Sequence, residues 1–243
     1  MFIYRCDGTK EGILCCLYDS FTAKRVPDAV YSGRFQPAFD QEVIDVKTDE
    51  KIAARVRNGL IKCGGISLLS ELFLPLRSCE SLRETVVFFV AYRCLKERRN
   101  VITDYTDNNV LLHRDLAARI KKEVHNMHGF LRFAECTGGL YAHFSPDNDV
   151  VDLVAPHFAR RFSGEKFIIH DTKRNLLAVY DGKSLKTVLN DSPVTVYLST
   201  EEEQFRKLWK TYFDSVSIES RKNKRLQDNF LPRRYRKDMT EFQ

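Results

Sequence analysis

The sequence predicts an α+β protein: a mainly helical N-terminal part, then a C-terminal part with a small antiparallel sheet, a meander of hairpins, packed against helices. Three observations carry this reading. Apolar residues recur at helical spacing through most of the first 127 residues. From residue 129 to 188 the texture changes to short apolar runs separated by turns rich in Gly, Asp and Asn. Helical spacing then returns over residues 200–216.

Residues 2–5 read as a short strand, followed by a turn at Asp7-Gly8. Residues 11–24 read as a helix with Ile13, Leu14, Leu17 and Phe21 on one face. Pro27, Gly33 and Pro37 break the pattern into a connector. Thr48 is the expected N-cap of the next helix, which buries Ile52, Val56 and Leu60 and turns Lys51, Arg55, Arg57 and Lys62 outward. After Gly64-Gly65 a short apolar helix ends at Pro75. Ser81 and Glu84 have capping-box spacing and open a helix apolar all round from Val86 to Ala91, hence central. A helix over residues 109–127 is expected to bury Leu112, Leu116, Ile120 and Val124.

Thr137-Gly138-Gly139 joins the strands of a first hairpin, residues 130–135 and 140–144. Residues 167–170 and 176–180 form a second, with 184–188 extending the meander. Between the hairpins lie two short helices, residues 150–154 and 156–162, the second with Pro156 at its first position, where a missing N–H costs least. In the last long helix Phe205, Leu208, Trp209, Tyr212, Phe213 and Val216 form a stripe expected to be core.

With 243 residues, 43% hydrophobic and 30% charged, the chain has the balance of a globular protein and room for one large or two small domains. The start is unlike a signal peptide and no apolar run approaches membrane-spanning length, so a cytoplasmic location away from membranes is expected. Seven scattered cysteines without a C-x-x-C pair signal neither a disulfide framework nor a zinc or iron–sulfur site, and no metal or other cofactor is expected. The net charge is +6, but residues 204–237 alone hold eleven Lys or Arg against three acids, a local excess of +8. Such density, interleaved with Leu226, Phe230, Leu231 and Tyr235, favours an anionic partner over a free tail.

No phosphate loop, dinucleotide fingerprint, nucleophile elbow or H-E-x-x-H motif occurs. Five of the six histidines fall within residues 125–181. For proton transfer the candidates are His157 and His170, with Asp171 orienting a partner. Arg132, Arg160, Arg161 and Arg174 are candidate phosphate clamps. For nucleic-acid contact the candidates are Arg132, Arg161, Arg221, Lys222, Arg225, Arg233, Arg234 and Tyr235, the cations on phosphates and the tyrosine stacked on a base. Each also has an ordinary structural role open to it: Asp171 can cap a turn, and Arg160 and Arg161 can complement a helix dipole.

The segments GFLRF, LYAHFSPDNDVVDLVAPHFARRF and FIIHDTKRNLLAVYDG, followed by LWKTYFDSVSIESRKNKRLQDNFLPRRYRKDMTE, resemble an uncharacterised domain of bacterial probable DNA-metabolism proteins that is also fused to some uracil-DNA glycosylases. The resemblance implies a domain over residues 81–243 preceded by a family-specific region, residues 1–80. Residues 1–80 also look like the stand-alone form of that family, which implies a radical-SAM iron–sulfur protein as companion and a task in DNA repair or modification. No reaction comes with it, and no glycosylase motif is present. The leading expectation is a DNA-binding accessory protein. The alternatives are an enzyme acting on DNA bases or nucleotides, and an adaptor that recruits the radical-SAM protein through residues 1–80.

Overall fold

The computed structural model describes residues 2–33 and 41–242, which divide into two compact units, Met1–Lys121 and Lys122–Gln243. The α+β class holds: helices dominate the N-terminal part, and a five-stranded mixed sheet lies against helices in the C-terminal part.

In the first unit β1 (Phe2–Cys6) is flanked by β2 (Ala29–Ser32) and β3 (Glu42–Asp45), both parallel to it. Only β1 is expected from sequence, because β2 and β3 are four-residue runs with no alternation to mark them. The Pro37 assigned to the connector lies outside the described residues. Helix α1 (Lys10–Ala23) starts at Thr9, whose hydroxyl accepts from the Gly12 N–H, satisfying one of the unpaired donors of the first turn. Helix α2 (Glu50–Leu72) is capped by Asp49 rather than Thr48, since the Thr48 hydroxyl donates to Asp7 instead. It is broken at Gly64-Gly65, where Gly65 takes φ +76°, a conformation only glycine adopts without cost. The stretch Glu50–Arg77 is long and apolar enough to cross a bilayer by length and composition; Val56, Leu60, Leu68 and Leu72 are buried in the core of this unit, while most of its apolar run is not.

Helix α3 (Arg83–Glu97) is central, with Val86, Val87, Phe88, Val90, Ala91 and Cys94 buried. The anticipated capping box does not form. The Glu84 carboxylate accepts from the Ser32 hydroxyl and Arg83 Nε, and Leu82 precedes the helix without a side-chain cap. Helix α4 (Asn108–Phe130) buries Leu116 and Ile120 as expected, but the rest of its buried face is Val110, His113, Glu123 and Met127; Leu112 faces solvent and Val124 is half-buried. Two polar residues in the buried stripe hide its phase from an apolar count.

The second unit contains β4 (Ala134–Cys136), β5 (Gly139–Phe144), α5 (Val151–Arg161), β6 (Phe167–Asp171), β7 (Leu176–Tyr180), β8 (Leu185–Leu189) and α6 (Thr200–Val216). Two short helices follow, α7 (Lys224–Phe230) and α8 (Arg233–Arg236). The hairpin β4–β5 and the meander β6–β7–β8 are antiparallel as read from the turns, but β5 and β6 pair in parallel, with α5 as the crossover. Helix α5 is one helix, so Pro156 lies in its interior, where it has no N–H to give to the preceding turn. One face of the sheet, with Ala142, Phe144, Phe167, Ile169 and Ala178, is buried, and Phe158 and Phe162 of the α5 segment meet Phe133 and Phe167 edge to face or tilted.

The polar centre of this unit is Glu123. Its carboxylate accepts from the Asp147 and Asn148 backbone N–H groups (2.8 and 2.9 Å), from Asn148 Nδ2 (2.7 Å) and from the Tyr235 hydroxyl (2.7 Å). A buried carboxylate is tolerated when its lone pairs are filled in this way. The hydrogen bond from Tyr235 fixes the C-terminal segment to the helix that carries Glu123.

Candidate nucleic-acid interface

Four of the six histidines gather as two pairs among the described residues, and the expected catalytic trio does not assemble. His157 stacks on His128, ring centroids 4.1 Å apart and 16° from parallel. Burial, and behind it the charges that His157, His125 and Arg160 would present, lowers the pKa of His128. His170 accepts or donates through Nδ1 to the Tyr141 hydroxyl at 2.8 Å, and His143, its register partner on β5, stands beside the same tyrosine. Asp171 is the next residue along β6 and so faces the other side of the sheet from His170. Its carboxylate accepts from the Lys173 and Arg174 N–H groups and pairs with the Arg174 guanidinium at 3.0 Å. That is a turn cap, and it leaves Asp171 unable to orient His170.

The arginines proposed as clamps have diverse surroundings. Arg132 forms a two-pronged pair with Glu241 (2.6 and 3.3 Å) and donates to the Gly129 carbonyl. Arg174 is committed to Asp171 and to the carbonyls of Pro146 and Asp147. Arg160 and Arg161 close α5 on its exposed side.

In the C-terminal segment the cations lie at the surface. Arg221, Lys222, Lys224, Arg225, Arg233 and Arg234 are all exposed. Asp228 pairs with both Arg233 (2.8 Å) and Arg236 (2.6 Å), and Arg234 pairs with Asp147 (3.0 Å). Arg221, Lys224 and Arg225 make no ion pair among the described residues. The segment is anchored by local chemistry: Asn223 caps α7 by accepting from the Leu226 N–H, and Tyr235 and Met239 are buried. Tyr235 is only 4% exposed and its hydroxyl is engaged by Glu123, so its ring offers no face to a base. Burial also raises its pKa. Phe230 and Leu226, expected to help pack the segment, project into solvent instead.

The largest departure from the sequence reading is α6. Its stripe is not core: Phe205, Leu208, Trp209 and Tyr212 are 63%, 64%, 42% and 57% exposed. The helix is capped by Ser199, and the Glu202 carboxylate, holding Arg206 at 2.8 Å and the Glu135 N–H at 3.0 Å, ties its first turn to β4. Beside the stripe lies a cavity of about 690 Å³ lined by Phe133, Phe205, Leu208, Trp209 and Tyr212 with Arg132, Glu202 and Arg206. A smaller one of about 230 Å³ shares Arg132, Phe133 and Arg206 and adds Tyr141, His143 and Asp238. His143 Nε2 is 3.4 Å from Asp238, whose carboxyl burial pushes up. No signal in the sequence separates this exposed stripe from a buried one.

Fold and surface together define an α+β protein with a cation-rich, aromatic-bearing C-terminal face. A family model, described as a domain of unknown function and named DUF4130, matches residues 81–241, and the chain belongs to that family. No curated protein and no solved structure matches the chain.

Proposed function

We propose that this protein is a nucleic-acid-binding accessory factor in DNA repair or modification, working beside a radical-SAM iron–sulfur protein in the cytoplasm. The observation that carries the reading is the folded C-terminal segment with its exposed Arg221, Lys222, Lys224, Arg225, Arg233 and Arg234. Held by Tyr235 on Glu123, these cations are displayed on an ordered surface, where they neutralise phosphates and release counterions. The DNA task rests on the resemblance of residues 81–242, and the radical-SAM companion on the likeness of residues 1–80 to the stand-alone form of that family. The cytoplasm fits seven cysteines that are all free thiols.

Fluorescence anisotropy with labelled single-stranded, duplex and uracil-containing DNA, at increasing salt, tests the reading. Affinity falls steeply with salt, and removing one phosphate-binding cation, as in Lys222→Ala, Arg225→Ala, Arg233→Ala or Arg234→Ala, flattens the logarithmic slope by roughly 0.9 on duplex. No binding at low salt sinks the proposal. Repeating the titration with the companion protein present separates a DNA-binding accessory from an adaptor that binds only protein.

A further inference from the structure

The five-stranded sheet has two edges, and the chain closes only one of them. At β4 Leu198 bridges Cys136, the Thr137 and Ser199 N–H groups donate to the Tyr197 and Glu135 carbonyls, and the Glu202 carboxylate takes the Glu135 N–H. At the other edge β8 pairs with β7 alone. The Asn190 N–H donates to the Asn175 carbonyl and the Asp181 N–H to that of Ser184. By the alternation of an antiparallel ladder, Lys186 and Val188 therefore bond to β7, while Leu185, Thr187 and Leu189 turn their N–H and C=O groups outward. Val188 and Leu189 are 45% and 65% exposed. An open edge is a template for another strand, and β8 has neither proline nor bulge to prevent it.

The sequence of this edge is its own complement. Antiparallel pairing of two copies about Thr187 sets Leu185 opposite the partner's Leu189, Lys186 opposite the partner's Val188, and Lys183 opposite the partner's Asp191. Each outward-pointing residue of β8 then meets another outward-pointing one. Lys183 and Asp191 are exposed and make no ion pair among the described residues, so their charges are available to complement each other. Leucines meet on one face of the sheet, and on the other the Lys186 stem lies along the partner's Val188. Other alignments lose these features. Centring the pair on Lys186 sets that lysine against itself, and centring it on Val188 sets Lys183 against the partner's Pro193, which has no N–H to give. Parallel pairing sets every charge against its like.

We propose that β8 is a self-association edge, through which two copies pair antiparallel about Thr187 and join their sheets into one. A single strand pair buries less than the roughly 1,000 Å² of a lasting interface, so the dimer is reversible and concentration-dependent.

Sedimentation velocity of the full chain, run without nucleic acid, shows monomer converting to dimer as concentration rises, so the result is independent of the DNA titration. At high concentration the Leu185, Thr187 and Leu189 amides gain protection from hydrogen exchange, whereas those of Lys186 and Val188, already bonded to β7, do not change. Thr187→Pro removes an outward donor and no β7 bond, and keeps the chain monomeric. Lys183→Asp and Asp191→Lys each weaken the dimer roughly tenfold by setting like charges opposite, and the double reversal restores it. A chain that stays monomeric at every concentration overturns the proposal, as does a dimer that survives Thr187→Pro. A dimer indifferent to the single reversals, or not rescued by combining them, also overturns it, and decides the matter even if Thr187→Pro fails to fold.

Discussion

Helices α3 and α6 use similar apolar side chains to opposite ends. In α3 Val86, Val87, Phe88, Val90 and Ala91 disappear into the core of the first unit, each large one stabilising the fold by about 1.5–3 kcal/mol through burial. In α6 none of the residues is buried, although its apolar stripe is far more regular along the helix. A regular stripe shows that a helix has a face to cover. It does not show that the same chain covers it.

The contrast can be broken by mutation. Phe88→Ala should cost about 3–5 kcal/mol in urea-induced unfolding, whereas Leu208→Ala should stay within about 0.5 kcal/mol. If the two losses are comparable, α6 is packed against a core after all and its face is unavailable for ligand.

A second test concerns what holds the C-terminal segment in place. Glu123→Ala strands the Asp147 and Asn148 N–H groups and the Tyr235 hydroxyl, and should cost about 3 kcal/mol, with Tyr235→Phe costing about 1 kcal/mol. If the cations bind DNA as proposed and the Glu123 hydrogen bond positions them, Tyr235→Phe also weakens that binding although the buried tyrosine offers no face to a base. Unchanged affinity would show that the cations need no such anchor.

The smallest expected effect is a pH dependence at the Arg132–Glu241 pair beneath α6. Burial opposes ionisation of Glu241, but the Arg132 guanidinium, together with a backbone N–H and the Trp209 indole N–H, holds the carboxyl below the ordinary glutamate value near 4.5. A depressed carboxyl contributes stability that is complete above its unfolded pKa and is lost as pH falls through the lower folded value. Thermal unfolding temperature should therefore drop as pH falls below about 4.5, and Glu241→Gln should remove part of that dependence. An identical pH profile in the variant would show that the pair contributes nothing measurable.

Much of the second unit was legible because turns have chemistry. Thr137-Gly138-Gly139 and the loop from Asp171 to Asn175 announce their hairpins, and Asn175 indeed takes a left-handed φ of 54°. The parallel pairing of β5 with β6 was not legible, since a crossover through α5 and a simple meander share the same local pattern. Glu123 and His113 escaped notice on α4 because a polar residue is stable in a buried position only through partners distant in sequence. His170 and Asp171 looked like a functional pair because they are neighbours in the chain, and strand geometry is what turns them to opposite faces.

The sequence by itself determined the identity of nearly every long element, the amphipathic period of α6 and the concentration of positive charge after residue 204, because these depend on spacing and composition. Tertiary structure alone decided that Tyr235 is an anchor, that Asp171 is a turn cap, and that the stripe through Phe205, Leu208, Trp209 and Tyr212 meets solvent. The reason is physical: periodicity is a property of one segment, whereas burial is a property of two surfaces that must meet.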